Sequence, residues 1–245
     1  ACFFSESLGR AEMLRGTLQL EKINIAIDGP AGAGKSTVAR LVAERLGFVY
    51  VDTGAMYRAV ALKALETGLD PEQVEQIAQM AAGLDIRLIP GDRGIQVLVD
   101  GRDVTEQIRE PRVSRAVSEI ARIPRVRELL VLKQREMAKR KGVVMDGRDI
   151  GTHVMPDAEV KVFLTASVKE RAARRYAELK AKNETVTLEQ LERDIAMRDR
   201  MDEQREVSPL RKAEDAVLLD TTGMTIPQVV DRVLQLTEAF ANKES

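Results

Sequence analysis

The sequence predicts an α/β fold of three layers, a central parallel five-stranded sheet flanked by helices. Three observations carry this. Short apolar, β-branched runs recur at 23–27, 48–51, 143–145, 160–164 and 216–219, and helical periodicity fills most of the chain between them. The first run ends in a glycine-rich loop that opens a helix. Strict apolar–polar alternation appears in one place only, at about 84–105, so a small antiparallel β insert interrupts the βα units.

The first unit sets the chemistry. Ile23 to Ile27 reads as a buried strand. Gly29-Pro30-Ala31-Gly32-Ala33-Gly34-Lys35-Ser36-Thr37 follows and fits G-x-x-x-x-G-K-[ST], the phosphate-binding loop. Glycines let the backbone approach a polyphosphate and take positive φ, so successive N–H groups can point at one anion. The helix beyond carries Val38, Ala39, Leu41, Val42 and Leu46 at helical spacing and offers its positive N-terminal end. Lys35 would neutralise the β- and γ-phosphates, and Ser36 would put a hydroxyl on Mg²⁺.

In the second unit Phe48 to Val51 ends at Asp52-Thr53-Gly54-Ala55-Met56-Tyr57-Arg58, and a capped helix runs to Leu65. Thr53 either faces a pocket or is only a cap; Arg58 is by itself a surface charge. A further helix starts at Asp70-Pro71-Glu72 and reaches about Ala82. In the alternating insert, Asp92, Arg93 and Gly94 supply a turn and Asp100-Gly101 a two-residue hairpin. The main sheet does not need such an insertion, which suits a lid or a substrate-binding module.

Helices over about 110–121 and from Pro124 to Lys141 come next, the second stopped by Gly142. The strand 143–145 delivers Asp146-Gly147-Arg148-Asp149 at its carboxyl end, where parallel sheets bind ligands. After the strand 160–164 a helix bears Lys169, Arg171, Arg174 and Arg175, and Asn183-Glu184-Thr185 breaks it. Thr187 and Gln190 form a capping box for a helix whose stripe is Leu188, Leu191, Ile195, Arg198, Asp202 and Arg205. A face that begins apolar and turns charged either lines a pocket or carries a solvated Arg198–Asp202 pair. The last strand, 216–219, precedes a helix capped by Thr225 and Gln228, with Val229, Val230, Val233, Leu234 and Phe240 on its apolar side.

Composition narrows the class. Lys+Arg is 38 against Asp+Glu 39, which argues against a general nucleic-acid or membrane-surface binder. A single cysteine, Cys2, allows no internal disulfide or thiolate cluster and suits a reducing cytoplasm. One histidine, His153, leaves zinc-hydrolase and Ser-His-Asp chemistry poorly supported. No run approaches the ~18 apolar residues of a membrane span, and the first 22 residues lack a signal-peptide pattern.

Taken together, the phosphate loop, Asp52 to Arg58, Pro124-Arg125-Val126-Arg127, Asp146-Gly147-Arg148-Asp149-Ile150-Gly151-Thr152 and Arg198-Asp199-Arg200-Met201-Asp202 resemble the bacterial cytidylate kinases. The likeness covers about residues 22–241. It implies a single P-loop kinase domain there, with a nucleoside-monophosphate-binding insert at about 66–122 and a helical lid at about 168–200. Residues 1–21 are then a flexible extension and 242–245 a tail. It implies γ-phosphoryl transfer from ATP, with Mg²⁺, to CMP or dCMP. Carried over by motif, Thr53, Arg58, Arg148 and Arg205 surround the acceptor phosphate. Ser118, Arg127 and Asp149 read cytosine, while Arg198 and Asp202 hold the sugar. Lys35 and arginines of the 171–175 segment, Arg174 among them, screen the two polyanions. The resemblance implies small-molecule partners only, and a cytoplasmic monomer is expected. An AMP, dTMP or shikimate kinase is the alternative within enzymes; a GTPase switch is disfavoured because N-K-x-D is absent.

Overall fold

A computed structural model describes residues 23–91, 94–181 and 184–242. The expected N-terminal extension, residues 243–245 of the tail, the turn residues Asp92 and Arg93, and Asn183 of the helix break lie outside them. Five parallel strands form one sheet: β1 (Asn24–Asp28), β2 (Val49–Asp52), β6 (Val143–Gly147), β7 (Val160–Thr165) and β8 (Val217–Asp220), in the spatial order β2-β6-β1-β7-β8. β1 is buried at every position because it pairs on both sides, with β6 and β7. β8 is an edge, and Leu218 there is 58% exposed.

Helices α1 (Lys35–Leu46) and α8 (Ile226–Ala241) share one core beside the sheet, where Val38, Val42, Val229 and Val233 meet Ile25, Ile27 and Val162. A second core joins α2 (Thr53–Glu66), α3 (Val74–Gly83), α4 (Pro111–Ile120) and α5 (Pro124–Ala138) to the meander β3 (Ile86–Gly91), β4 (Gly94–Val99) and β5 (Arg102–Asp103). The Asp100-Gly101 hairpin forms as expected, with φ of 51° and 80°. Helices α6 (Val168–Ala181) and α7 (Leu188–Glu203) pack on each other through Ala172, Leu179 and Leu191.

Three local expectations change. Asp70-Pro71-Glu72 makes a turn, because the Asp70 carboxylate accepts from Glu72 N–H and the Asp70 carbonyl from Gln73 N–H; α3 begins only at Val74. α5 ends at Ala138 rather than Lys141, since Lys141 and Gly142 turn left-handed with φ of 56° and 71°. The box at Thr187 is half made. The Thr187 hydroxyl accepts from Gln190 N–H, but the Gln190 amide turns to Asp194 instead. Thr225 and Gln228 complete theirs reciprocally.

Candidate active site

The carboxyl ends of β1, β2 and β6 stand in register, with Asp28 beside Gly147 and Asp52 beside Asp146. Two half-sites meet there. The first is the phosphate loop. Gly29 has φ 148°, and a Cβ there would lie 2.0 Å from the Leu164 carbonyl oxygen of β7, so only glycine lets the loop leave the strand. Gly34, with φ 85°, caps α1 without a side chain, which leaves the first helical N–H groups free of side-chain partners. Lys35 folds back along the loop, and its Nζ donates to the Pro30 carbonyl at 2.7 Å. It is 5% exposed, and burial, then the Arg148 guanidinium, pushes its ammonium well below the usual lysine range.

Asp146 sits beneath this loop. It accepts from the Ser36 hydroxyl and from the Tyr50 hydroxyl, each at 2.9 Å. Burial, then Asp52, pushes its carboxyl up. Its backbone carbonyl accepts from the Thr53 hydroxyl at 2.7 Å, which joins the start of α2 to the end of β6. The Asp52 side chain caps α2 by accepting from Ala55 N–H. Thr53 is therefore not the cap; its side chain turns inward.

The second half-site is a cleft open to solvent, with about 460 Å³ of space within and at its mouth. It is lined by Thr53, Arg58, Ser118, Arg127, Arg148, Asp149, Arg198, Asp202 and Arg205, with Gly54, Tyr57, Val117, Ala121 and Gly147. All nine residues expected on the acceptor side meet in this one space. They come from α2, α4, α5, α7, the end of β6 and the chain beyond α7. The charged stripe of α7 lines the cleft, and Asp202 pairs there with Arg148 (2.8 Å), not with Arg198. The Asp202 carbonyl also accepts from Arg205 Nε at 3.3 Å. Deep in the cleft Arg127 forms a buried ion pair with Asp149 and donates to the Ala121 carbonyl at 3.1 Å. The Arg127 guanidinium lies 5.1 Å from the centre of the Tyr57 ring. Arg58 donates to Ser114 Oγ of α4 at 2.8 Å and to the carbonyl of Ile108, just before α4, at 3.1 Å.

Five guanidinium groups thus face two carboxylates. Burial, then Arg148, brings Arg198 down to about 9, and burial brings Arg58 down to about 10. Tyr57 OH, Arg127 Nε, Arg198 Nε and Arg205 Nη2 are buried with no protein partner. Buried polar groups are normally satisfied, so four orphans in one cationic cleft point to an anionic ligand rich in acceptors.

Arg174 is not in the cleft. Its guanidinium is occupied by Thr221 (Oγ1 at 3.2 Å, carbonyl at 2.8 Å) and by Glu170. Arg175 pairs with Glu178 on the surface. The arginine of α6 that reaches the phosphate loop is Arg171. It donates to the Ala31 carbonyl at 2.9 Å and grips both carboxylate oxygens of Asp199. Helix phase does not separate them: Arg174 and Arg175 lie three and four residues on, on the same side of α6 as Arg171 but about one turn further along it, and only Arg171, beside Ala172, is buried. Sequence reading missed Tyr50, Tyr57, Asp199 and Asp28 as site residues. Asp199 and Tyr57 stood inside the recognised motifs; Asp28 was visible as a charge closing an apolar strand; Tyr50 gave no signal.

The cytidylate kinase family pattern matches residues 25–239. A cytidylate kinase of Exiguobacterium sibiricum is 54% identical over 219 residues, 89% of this chain and 98% of that protein. One of Desulfitobacterium hafniense is 56% identical over 216 residues, 88% and 93% of the two chains. One of Bacillus subtilis is 52% identical over 218 residues, 89% and 97%. Among solved structures, an uncharacterised protein of Eubacterium ventriosum superposes with a TM-score of 0.51 at 11% identity. It covers 89% of this chain and 99% of that one, and shows a shared fold.

Proposed function

The chain belongs to the cytidylate kinase family and is a nucleoside monophosphate kinase, and we propose that it moves the γ-phosphoryl group of ATP in line onto CMP or dCMP without a general base. The observation that carries this reading is the cationic cleft with its orphaned donors, set beside the phosphate loop. Lys35 is close enough to feel the charges of Arg148, Arg198 and Asp202, so the two half-sites form one electrostatic unit.

The roles follow from charge. The acceptor is a phosphate oxygen, already anionic near neutral pH, so no base has to take a proton from it. What opposes reaction is repulsion between two polyanions. The loop amides and Lys35 hold the donor phosphates. Thr53, Arg58, Arg148 and Arg205 hold the acceptor phosphate, and Arg198 with Asp202 fixes the sugar. Catalysis is then charge neutralisation and alignment. Arg171 replaces Arg174 as the α6 arginine at the donor loop. Ser118, Arg127 and Asp149 read cytosine: a carboxylate accepts from the N4 amino group, and guanidinium donors meet N3 or O2.

Mg²⁺ fits the donor side. The Ser36 hydroxyl and the Asp146 carboxylate, which meet at the loop, are hard oxygen groups that would hold the ion, directly or through its water. Among the described residues no group of three or more His, Cys, Asp or Glu could cage a metal, which suits an ion held mostly by water and substrate phosphates. When bound, Mg²⁺ supplies positive charge to the donor phosphates. Among the described residues no helix is long and apolar enough to cross a membrane. A cytoplasmic monomer acting on free nucleotides completes the proposal.

The direct test is a panel of monophosphates with ATP and Mg²⁺. CMP and dCMP should turn over, with UMP, AMP and dTMP far behind; turnover of AMP or dTMP without CMP overturns the reading. Arg198 offers a second test. A base whose folded-state pKa lies below its unfolded value destabilises the fold at every pH below the folded value, here below about 9. Arg198→Met should therefore raise the apo thermal midpoint, by about 2–4 °C per kcal/mol relieved. The same change should weaken CMP binding about tenfold or more. A lowered midpoint with unchanged CMP affinity would refute both halves.

A further inference from the structure

We infer that Asp28 is a positioning residue that fixes the base-reading segment against the phosphate loop, and so sets cytosine selectivity without touching substrate. The inference rests on the cytidylate kinase reading above. Asp28 is the last residue of β1, and Gly29 of the phosphate loop follows it directly. Its carboxylate is 4% exposed. One oxygen accepts from Ile150 N–H at 2.8 Å and the other from Gly151 N–H at 2.7 Å. These two amides open the π-helical turn Ile150–Val154 immediately after Arg148 and Asp149. Asp28 is thus covalently joined to the donor half-site and hydrogen-bonded to the strand end that carries two acceptor-side residues.

The residue type matters. Both partners are N–H donors, so the side chain between them must accept twice. A carboxylate does, with one oxygen for each; an amide has a single acceptor atom and presents an N–H₂ to the second donor. Burial pushes the Asp28 carboxyl up to about 6, against the pull of the Gly151 and Ile150 amides. A charged group kept in such a place needs its two amides. Without one of them the turn moves, and Asp149 and its partner Arg127 move with it. The loop itself stays anchored by the contact of Gly29 with β7.

Asp28→Asn tests this because it keeps shape and removes one acceptor. The expected result is a fall of about tenfold or more in kcat/KM for CMP, a KM for ATP within about twofold of wild type, and a CMP-over-UMP ratio reduced about tenfold. That ratio is independent of the fraction of folded enzyme, so a purely structural role would leave it unmoved. An unchanged ratio and an unchanged KM for CMP overturn the inference, whatever happens to stability. Gly151→Ala is the companion variant, and it changes no charge. A Cβ there would stand 3.4 Å from the Asp28 Oδ2 atom and 3.2 Å from the Lys161 Cδ atom, crowding the same joint. It should lower the ratio in the same direction by a smaller factor, and wild-type selectivity there, should Asp28→Asn not fold, overturns the inference. A wild-type enzyme inactive on CMP would instead sink the kinase reading itself.

Discussion

Replacing Lys35 by methionine should lower kcat for CMP by about 10²–10³ and move the KM for CMP little. Lys35 belongs to the donor half-site and is absent from the lining of the acceptor cleft. Its ammonium is held at the Pro30 carbonyl, inside the curve of the loop, where donor phosphates would lie. Transfer spreads negative charge over the migrating group, and a fixed cation in a water-poor site stabilises that charge more than it does the bound ground state. Methionine fills the space of the aliphatic stem and removes only the charge. The thermal midpoint should shift little, because two effects oppose. The burial cost of the ammonium and its repulsion from Arg148 are relieved, while Asp146, whose own carboxyl is pushed up by burial, loses a compensating cation. Steady-state kinetics with CMP varied at saturating ATP, then the reverse, would measure the split. A kcat within about threefold of wild type would remove Lys35 from the chemical step.

Which features were legible in the sequence follows from how far apart the residues that decide them stand. The phosphate loop, Pro124 at the start of α5 and the Thr225–Gln228 box are settled by neighbours a few positions away, and each appears where its local pattern puts it. The five strands read correctly because each carries a short apolar, β-branched run, although only β1 and β6 are buried at every position and the edge strand β8 is largely exposed. The ends of α3 and α5 did not, because Asp70 and Lys141 take turn conformations that helical spacing alone does not forbid. Arg171 against Arg174 was undecidable from spacing. Both lie on a charged helix, and the choice depends on Asp199 and Ala31, far along the chain. The π-helical turn after Asp149 was invisible for the same reason, since its first two amides are satisfied by Asp28, more than a hundred residues away in sequence. The acceptor residues could be named beforehand only through their motifs. Chemistry alone left Thr53, Arg58 and the Arg198–Asp202 stripe open between pocket and surface.

Asp149→Asn should lower the ratio of kcat/KM for CMP over UMP by about 10² or more, through a loss on CMP and a gain on UMP. Asp149 is held by Arg127 in a pair whose side chains are 3% and 6% exposed, so neither can be rehydrated cheaply when its partner changes. The aspartate can only accept, which suits the N4 amino group of cytosine. Uracil places a carbonyl at that position and an N–H at position 3, so a carboxylate facing it leaves two acceptors opposed. A site built on a desolvated hydrogen bond can discriminate by as much as about 10⁴–10⁵, which leaves room for a large loss. Asparagine keeps an oxygen for Arg127 and adds an N–H₂ that can meet the uracil carbonyl. Stability should fall by less than the ~3–5 kcal/mol expected when one partner of a buried pair is removed outright, because Arg127 retains an acceptor and the Ala121 carbonyl. Asp149→Ala lacks that compensation. It should lose CMP activity without gaining UMP activity, and it should be the less stable of the two. The KM for ATP serves as the internal reference, since Asp149 does not belong to the donor loop. An unchanged CMP-over-UMP ratio in both variants would show that the base is read elsewhere in the cleft, with Arg127 and Asp149 left as a buried strut between α5 and the end of β6.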